Sequence, residues 1–280
     1  MSNDVEGATP ITKQQLAALP PGIQRLMKIR PMRLAALLVK VAAPVDRRKI
    51  VNLPNGHRFY VDPLSRIGLD IAETGQFEPE TVALFDELLR PGESFLDIGA
   101  NEGFFTSYAA RLVGQEGLVV SVEPQERLQD LIDINVSLNG PCNRLFFQNA
   151  FGMQDGAEME IILYPFLNTG ASGFYRSKRY GIGKQVCRFI SINTIFEKAQ
   201  RDHFDLVKVD TEGFEDHVVE GLETVLRDGK IRGLMVDYHA SVLKDRKVDP
   251  TSIERRIEAT GMVCRSRTDE YSGYRVYVRP

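Results

Sequence analysis

Acidic side chains lie at the ends of several apolar runs in this chain, where they are suited to bind cations and hydroxyl groups. Asp97, Glu123 and Asp210 each end or follow a run of branched and aromatic residues that is predicted as a strand. Ligands of open parallel sheets bind outside the carboxyl ends of the strands, so we expect the three carboxylates to face one crevice. Carboxylates there would accept hydrogen bonds from the ammonium or hydroxyl groups of a ligand.

A glycine turn follows the first of these runs. The segment Asp-Ile-Gly-Ala-Asn-Glu-Gly-Phe at residues 97–104 predicts a strand, a tight turn and then a helix. Gly99 and Gly103 let the backbone approach a ligand closely, but their spacing is not the G-x-G-x-x-G that cradles a pyrophosphate. Asp97 suits an ammonium, and the N–H groups of the turn suit a carboxylate. S-adenosylmethionine (SAM) carries both groups and no phosphate, although a lone glycine turn is also common in ordinary βα connections.

Two later strand ends extend this hypothesis of a nucleoside cofactor. Glu123, which precedes Pro124, ends the second predicted strand, where an acid accepts hydrogen bonds from both ribose hydroxyls. Asn149 follows the third strand, where its amide could pair with the edge of an adenine ring. An asparagine at this point is equally typical of a turn.

Three side chains near the fourth and fifth predicted strands are candidates for catalysis. Asp210 and Glu212 lie on one side of an extended chain, because side chains alternate with a period of two. They could orient a substrate, bind a cation or act as a base, or instead stabilise the start of the next helix. His239 lies just past the fifth strand, where a neutral imidazole is a good base near neutral pH. The alternative for His239 is a structural loop histidine.

Strand-like runs alternate with helical segments from residue 94 onward. The predicted strands are 94–98, 118–122, 145–148, 205–209 and 234–236, and the helices between them are 105–113, 127–138 and 214–226. This alternation predicts an α/β fold with a mostly parallel sheet and helices on both faces. Two further runs predict a C-terminal antiparallel hairpin, at 262–267 and 274–278. Extra strands at 158–163 and 187–192 flank a turn-rich loop, 168–173, that we expect to be a mobile lid or substrate loop.

The chain divides into three predicted parts. Residues 1–50 are expected to form a helical extension, residues 51–92 a hairpin and a helix leading into the core, and residues 93–280 the SAM-binding domain. Asn55-Gly56 between two alternating runs is a strong hairpin signal, and His57 beside it is expected to be exposed.

The N-terminal region combines basic and apolar residues, with no acid between Lys13 and Val45. We expect this region, residues 13–45, to pack on the main domain as a helical cap, although residues 22–49 could also contact a membrane surface. Weak contact with an anionic membrane surface and a homodimer contact are the alternatives.

Composition narrows the range of functions. The formal net charge of −3 argues mildly against a partner made of nucleic acid, which usually binds a basic domain. Three cysteines without a C-x-x-C pair indicate reduced thiols rather than a disulfide framework or a thiolate zinc site. The polar N-terminus is not a signal peptide, and the longest apolar stretch, 34–44, is too short to span a bilayer. We therefore expect a cytoplasmic protein.

At these motifs the chain resembles the FkbM family of methyltransferases. The carrying segments are Asp-Ile-Gly-Ala-Asn-Glu-Gly-Phe at 97–104, Glu-Pro at 123–124, Val-Lys-Val-Asp-Thr-Glu-Gly at 207–213, Gly-Leu at 221–222 and Gly-Gln-Phe-Glu-Pro-Glu at 75–80. The resemblance implies a class I methyltransferase Rossmann-like fold with a seven-stranded sheet, and SAM as cofactor. The residues assigned to the cofactor are Glu78, Asp97, Gly99, Ala100, Asn101, Gly103, Glu123, Pro124, Asn149 and Asp210. The chain departs from the family pattern at 193–196 and 237–239, on the acceptor side.

These features predict a SAM-dependent O-methyltransferase that acts on a hydroxyl of a sugar, glycolipid or secondary metabolite. His239, Asp210 and Glu212 are the predicted catalytic residues, and no metal is assigned. One alternative is a metal-assisted methyltransferase of small molecules, in which Asp210, Glu212, Asp237 and His239 ligate Mg²⁺. Another is a non-catalytic scaffold that binds SAM. An N-methyltransferase acting on nucleic acid is disfavoured, because the chain has no Asn/Asp-Pro-Pro-aromatic element.

Overall fold

The computed structural model describes residues 34–38, 47–265 and 273–280, and helices and strands are numbered from residue 47 onward. The strands are β1 Lys49–Asn52, β2 Arg58–Val61, β3 Ser94–Ile98, β4 Leu118–Val122, β5 Asn143–Phe147, β6 Ala150–Phe151, β7 Glu158–Leu163, β8 Gly183–Ile190, β9 Phe204–Val209, β10 Ile231–Asp237, β11 Val263–Cys264 and β12 Tyr274–Val278. The α-helices are α1 Arg66–Thr74, α2 Pro79–Leu88, α3 Phe104–Val113, α4 Gln129–Ser137, α5 Ile192–Ala199, α6 Glu215–Arg227, α7 Ala240–Asp245 and α8 Pro250–Glu258. Two 3₁₀ helices lie at Glu126–Leu128 and Phe166–Ala171.

Seven strands form one sheet in the order β11-β12-β10-β9-β3-β4-β5. β3, β4, β5, β9 and β10 are parallel, and β12 is antiparallel to both of its neighbours. The predicted mostly parallel seven-stranded sheet and its C-terminal antiparallel hairpin are confirmed. β11 has two residues where a longer strand, 262–267, is predicted, and residues 266–272 lie outside the described part of the chain.

Alternate residues of the central strands pack against helices on opposite faces of the sheet. Phe95 shares an apolar core with residues of α2, α3 and α4, whereas Leu96 and Ile98 share a second core with residues of α5, α6 and α8. Every residue of β3 and β4 is buried. Burial on both faces explains why these strands are continuous apolar runs rather than alternating ones.

The β1–β2 hairpin packs directly on the main domain. Val51 and Phe59 belong to the same apolar core as Phe95. The backbone N–H of Tyr60 donates to Asn135 Oδ1 of α4 at 2.7 Å. The predicted hairpin is therefore present, and it shares its core with the large sheet.

His57 is buried, so the expectation that it is exposed is wrong. Its ring has no exposed surface, and Nε2 lies 2.9 Å from Ser107 Oγ of α3. The ring also meets Phe104 edge to face, with centroids 4.9 Å apart. The side chain of His57, next to the hairpin turn, thus points into the protein interior rather than into water. Burial lowers the pKa of His57 to about 3.

Most of the predicted N-terminal extension, residues 1–50, lies outside the described residues, and so does most of the basic region 22–49. Residues 34–38 form one helical turn in which Ala35 and Ala36 are buried, whereas Leu34 and Leu37 are exposed. In the described ranges, no helix combines the length and the apolar character needed to cross a bilayer.

Two glycines with the same backbone conformation allow a matched test of the glycine turn. Gly92 and Gly99 both have φ of 85°, but a Cβ on Gly99 would lie 1.9 Å from the carbonyl oxygen of Asp210, whereas one on Gly92 would meet no atom within 4 Å. Gly92→Ala should cost about 1–2 kcal/mol, the penalty of the left-handed conformation alone. Gly99→Ala should cost several kcal/mol more or prevent folding, because strands β3 and β9 must separate. Urea unfolding of both variants measures this, and equal costs would contradict the close approach.

Candidate functional site

Three adjoining cavities lie at the carboxyl ends of the parallel strands, and Asn101 and Asp210 line all three. Cavity A is lined by residues that include Gly99, Glu123, Pro124, Ala150, Phe151 and Phe174. Cavity B is lined by residues that include Phe77, Glu78, Gly99, Ala100, Phe104 and Lys208. Cavity C is lined by residues that include Glu78, Glu102, Glu212, Asp237 and His239. The crevice predicted from the strand ends is therefore present.

Glu123, which follows β4, accepts a hydrogen bond from the glycine turn that follows β3. The backbone N–H of Asn101 donates to its Oε2 at 2.8 Å, and the N–H of Gln125 donates to its Oε1 at 2.9 Å. Burial raises the pKa of Glu123, whereas these hydrogen bonds act in the opposite direction. Each carboxylate oxygen has a second lone pair, so the group can still accept a hydrogen bond from a ligand in cavity A.

Asp97 lies beneath the cavities rather than in their walls. Its side chain is fully buried and accepts hydrogen bonds from Thr106 Oγ1 at 2.6 Å and from Lys208 Nζ at 3.1 Å. The expectation that Asp97 meets a ligand ammonium directly is not met by this arrangement. The physical reason is its position: Asp97 is the fourth residue of a five-residue strand buried on both faces, not the residue at the strand end.

Gly103 and Asn149 are two further predicted cofactor residues that do not line the cavities. Gly103 precedes α3 with φ of 78°, and a Cβ there would lie 3.0 Å from Ile132 Cα of α4, so this glycine serves helix packing. The side-chain amide of Asn149 donates to the carbonyl of Arg188 at 3.1 Å. Its neighbour Ala150, which no sequence motif marks, lines cavity A instead.

Lys208 was not predicted as a site residue, yet it forms ion pairs with both Asp97 and Asp210. Its ammonium lies 3.1 Å from Asp97 Oδ1 and 3.4 Å from Asp210 Oδ2. The side chain is only 2% exposed. Burial disfavours its charge, but the two carboxylates outweigh this effect and raise the pKa of Lys208 above its usual range. Lys208 is therefore a permanent positive charge under the cleft.

His239 lies among four carboxylates. Its Nδ1 is 3.0 Å from Glu215 Oε1, and its Nε2 is 3.3 Å from Glu212, 3.8 Å from Asp210 and 3.8 Å from Asp237. Burial acts to lower the pKa of this histidine, but the hydrogen bond with Glu215 and the neighbouring negative charges raise it to about 9. His239 is therefore protonated at neutral pH, and the expectation of a neutral imidazole acting as base is wrong.

The two aspartates that flank His239 differ in their ability to hold a proton. Asp210 accepts from Tyr274 Oη at 2.9 Å, and although burial opposes its charge, Lys208 and His239 lower its pKa. Asp237 ends β10, where burial and the charge of Asp210 raise its pKa to about 7. Asp210 is therefore the stronger acid of the two, and Asp237 is the one that holds a proton more readily.

The side chains of Asp210, Glu212 and His239 offer three ligand atoms within 4.8 Å of one another, as a metal site requires. Each is already matched by an opposite charge inside the protein. Lys208 pairs with Asp210, Arg176 pairs with Glu212, and Glu215 pairs with His239. These internal pairings favour an electrostatic role for the cluster.

The turn-rich segment expected to be a mobile loop forms a roof over the cavities. Most of it lies in the 3₁₀ helix Phe166–Ala171. Thr169 Oγ1 donates to Asn101 Oδ1 at 2.9 Å, and Gln125 Nε2 donates to the carbonyl of Thr169 at 3.3 Å. The roof is therefore hydrogen-bonded to the glycine turn and to the residue that follows the Glu123-Pro124 pair.

The protonation of His239 is testable without any substrate. Glu215→Gln keeps the shape of the side chain but removes the charge that faces Nδ1, so the pKa of His239 should fall from about 9 toward the ordinary value of 6.5. NMR titration of the imidazole nitrogens in both proteins measures this shift. Glu220→Gln, on the exposed side of α6, is the control and should leave the titration unchanged. A His239 pKa near 6.5 in the unaltered protein would contradict the assignment.

Comparison with known proteins relates this geometry to methyltransferases. The sequence model of the "Methyltransferase FkbM domain" family matches residues 97–261. A second model, "Protein-L-isoaspartate(D-aspartate) O-methyltransferase", matches residues 26–159.

Two archaeal proteins named protein-L-isoaspartate O-methyltransferase are similar to part of the chain. One from Methanopyrus kandleri is 32% identical over 42% of this chain and 50% of its own length. One from Archaeoglobus fulgidus is 42% identical over 22% of this chain and 30% of its own length. The chain therefore spans half or less of the length of these relatives.

Among solved structures, an O-methyltransferase from Bacillus cereus in complex with SAH has 15% identity and a TM-score of 0.43, covering 94% of this chain and 100% of that one. The FkbM match covers more than half of the chain and includes the glycine turn and the strands that carry Asp210 and Asp237. The chain therefore belongs to the FkbM family of methyltransferases.

Proposed function

We propose that this enzyme transfers the methyl group of SAM to a hydroxyl of an uncharged acceptor, namely a sugar, a glycolipid or a secondary metabolite. The observation that carries the proposal is the lining of cavity C, where Glu78, Glu212, Asp237 and protonated His239 face the same space. Carboxylates and an imidazolium are good partners for hydroxyl groups, whereas this excess of negative charge repels an anionic acceptor.

Cavities A and B are assigned to the cofactor. Glu123 can accept from ribose hydroxyls, and Pro124 and Phe151 offer apolar surface to the adenine ring. Glu78 at cavity B can pair with the ammonium, and the backbone of the turn from Gly99 can bind the carboxylate. These donors and acceptors fit SAM, which supplies a methyl group on a positively charged sulfur.

Asp210 is assigned to stabilise that positive charge. It lines all three cavities, and Lys208 and His239 keep it ionised by lowering its pKa. Glu212 and His239 form the wall against which the acceptor is held in line with the methyl group. Holding the reacting atoms at near-attack distance is the largest task of such an enzyme, because the methyl sulfonium is reactive without further activation.

An isoaspartyl carboxylate is the competing acceptor that the partial matches suggest. The isoaspartyl model ends at residue 159, before β9 and β10, which carry the acceptor side of the cleft. The described cations near cavity C are already paired within the protein: Lys208 and Arg176 with cluster carboxylates, Arg66 with Asp70, and protonated His239 with Glu215. An anionic acceptor would therefore meet carboxylates without an unpaired cation to neutralise it, which favours a neutral hydroxyl.

Calorimetric titration with SAM and SAH tests the cofactor assignment. Glu123→Gln and Glu78→Gln should each weaken SAM binding by roughly 10-fold or more, the usual effect of removing a hydrogen bond to a charged group. Asn149→Ala, whose side chain lies outside the cavities, is the matched control and should leave the affinity unchanged. Circular dichroism checks that Glu123→Gln keeps the fold. Equal losses in all three variants would contradict the assignment of cavities A and B.

Methyl transfer from tritiated SAM to a panel of acceptors tests the acceptor class. We expect label on neutral glycosides, polyols or phenols and none on an isoaspartyl peptide, because cavity C repels a carboxylate. Transfer should also withstand EDTA, since the cluster is neutralised by protein cations. Labelling of the peptide alone would overturn the proposal, and loss of transfer in EDTA that Mg²⁺ restores would instead favour the metal-assisted alternative.

A further inference from the structure

Asp237 differs from the other described carboxylates around cavity C in having neither a hydrogen-bond donor nor an arginine or lysine ion-pair partner among the described residues. Its nearest cation is His239, whose Nε2 lies 3.8 Å from Oδ2, beyond hydrogen-bond distance. The other carboxylates each have such a partner: Asp70 accepts from Arg66, Glu78 from Thr81, Glu102 from Arg48 and Asp210 from Tyr274, and Glu212 forms an ion pair with Arg176. Both oxygens of Asp237 are thus available to a ligand.

The end of β10 directs Asp237 and His239 to the same side. Tyr238 between them is buried in the apolar core on one face of the sheet, and its hydroxyl lies 2.8 Å from that of Tyr277. Alternation along an extended chain therefore turns its two neighbours toward cavity C. The placement of Asp237 is fixed by a well-packed core residue and not by a surface loop.

The remaining groups of the cluster are unsuited to take up a proton. His239 already carries one at neutral pH, since Glu215 and the neighbouring acids raise its pKa to about 9. Asp210 is a weak base, because Lys208 and His239 lower its pKa despite burial. The Glu212 carboxylate is held by the Arg176 guanidinium.

Charges from several elements face Asp237 and set its affinity for a proton. Burial raises its pKa most, and the charges of Asp210 from β9 and Glu78 from the start of α2 raise it further. His239, beyond β10, and Lys208 from β9 act in the opposite direction. The result is a pKa of about 7, close to the value at which a general base works best at neutral pH.

We propose that Asp237 is the general base of the reaction and accepts the proton of the acceptor hydroxyl in cavity C. This role rests on the proposed O-methyl transfer. As the acceptor oxygen forms its bond to the methyl carbon, the carbon–sulfur bond breaks and its electron pair goes to sulfur. The hydroxyl proton passes to an oxygen of Asp237, and water later removes it. His239 stays protonated throughout and acts as a positioning residue that limits the rise of the Asp237 pKa.

The test combines transfer kinetics with two measurements that need no acceptor. Asp237→Asn is nearly isosteric and should keep the affinity for SAM within about 2-fold while kcat falls roughly 10²–10⁴-fold, the usual contribution of a general base. In the unaltered enzyme, kcat/KM should rise with pH around a midpoint near 7, since the base must be ionised, and Asp237→Asn should lack this rise.

NMR of ¹³C-labelled aspartate should show one carboxyl that titrates near pH 7 and is absent from the variant. Asp228→Asn, on the exposed end of α6, is the control for both measurements.

Each outcome decides between the two proposals. Transfer by Asp237→Asn at the unaltered rate with the same pH midpoint, or an Asp237 carboxyl that titrates below pH 5, would overturn the base while leaving O-methylation intact. A protein that binds SAM but labels no hydroxyl acceptor would overturn the proposed function, and the role of Asp237 with it. Reduced kcat together with lost SAM affinity in Asp237→Asn would indicate a structural role and also overturn the base.

Discussion

The buried ammonium of Lys208 is the interaction on which the arrangement of the cleft depends. It lies between Asp97 of β3 and Asp210 beyond β9, and it also approaches the carbonyl of Gly99 at 3.4 Å. Removing one partner of a buried ion pair typically costs about 3–5 kcal/mol, because the other charge is left uncompensated. The two central strands and the glycine turn are thus held together by one buried charge, which also borders cavity B.

In this arrangement, one aspartate supports the core and a different aspartate faces the cavities, although the sequence motif suggests that Asp97 does both. Asp97 belongs to the most recognisable motif of the chain, yet both of its oxygens face protein donors. Asp210 receives the benefit of Lys208 and presents its carboxylate to all three cavities. The charged groups Asp97, Lys208 and Asp210 therefore form a series from the core to the cleft, and only Asp210 at the outer end presents a carboxylate to the cavities.

The sequence predicts the sheet well because its signal is strong and local. β3 and β4 begin and end at the predicted residues, because each is a continuous apolar run bounded by Gly, Pro or acidic residues. Cavity A follows from the same argument, because a strand end fixes where Glu123 and the glycine turn must lie. The sheet and the cavity at its strand ends can therefore be predicted from the sequence alone.

The failures have a common physical cause. For His57, Asp97 and Asn149, the chain position was predicted correctly, but the direction and partners of the side chain depend on residues distant in sequence, such as Ser107, Lys208 and Arg188. Lys208 lies inside the apolar run of β9, and this position could have indicated its contact with Asp97, because a buried ammonium requires carboxylate partners. The protonation of His239 could not be predicted at all, because it depends on Glu215, Asp210 and Asp237, which only the fold brings together.

The same reasoning applies to the side of the cleft that β9 and β10 form. Binding SAM demands a turn, an acid at the end of β4 and a sheet edge, and these are local requirements that many sequences satisfy. Proton transfer demands a balance between Asp210, Asp237 and His239, in which each charge sets the pKa of the others. A change at one of the three alters the protonation of the other two, so substitutions there are coupled rather than additive. Departures from a family pattern at residues 237–239 are therefore expected to change together, as a set matched to one acceptor.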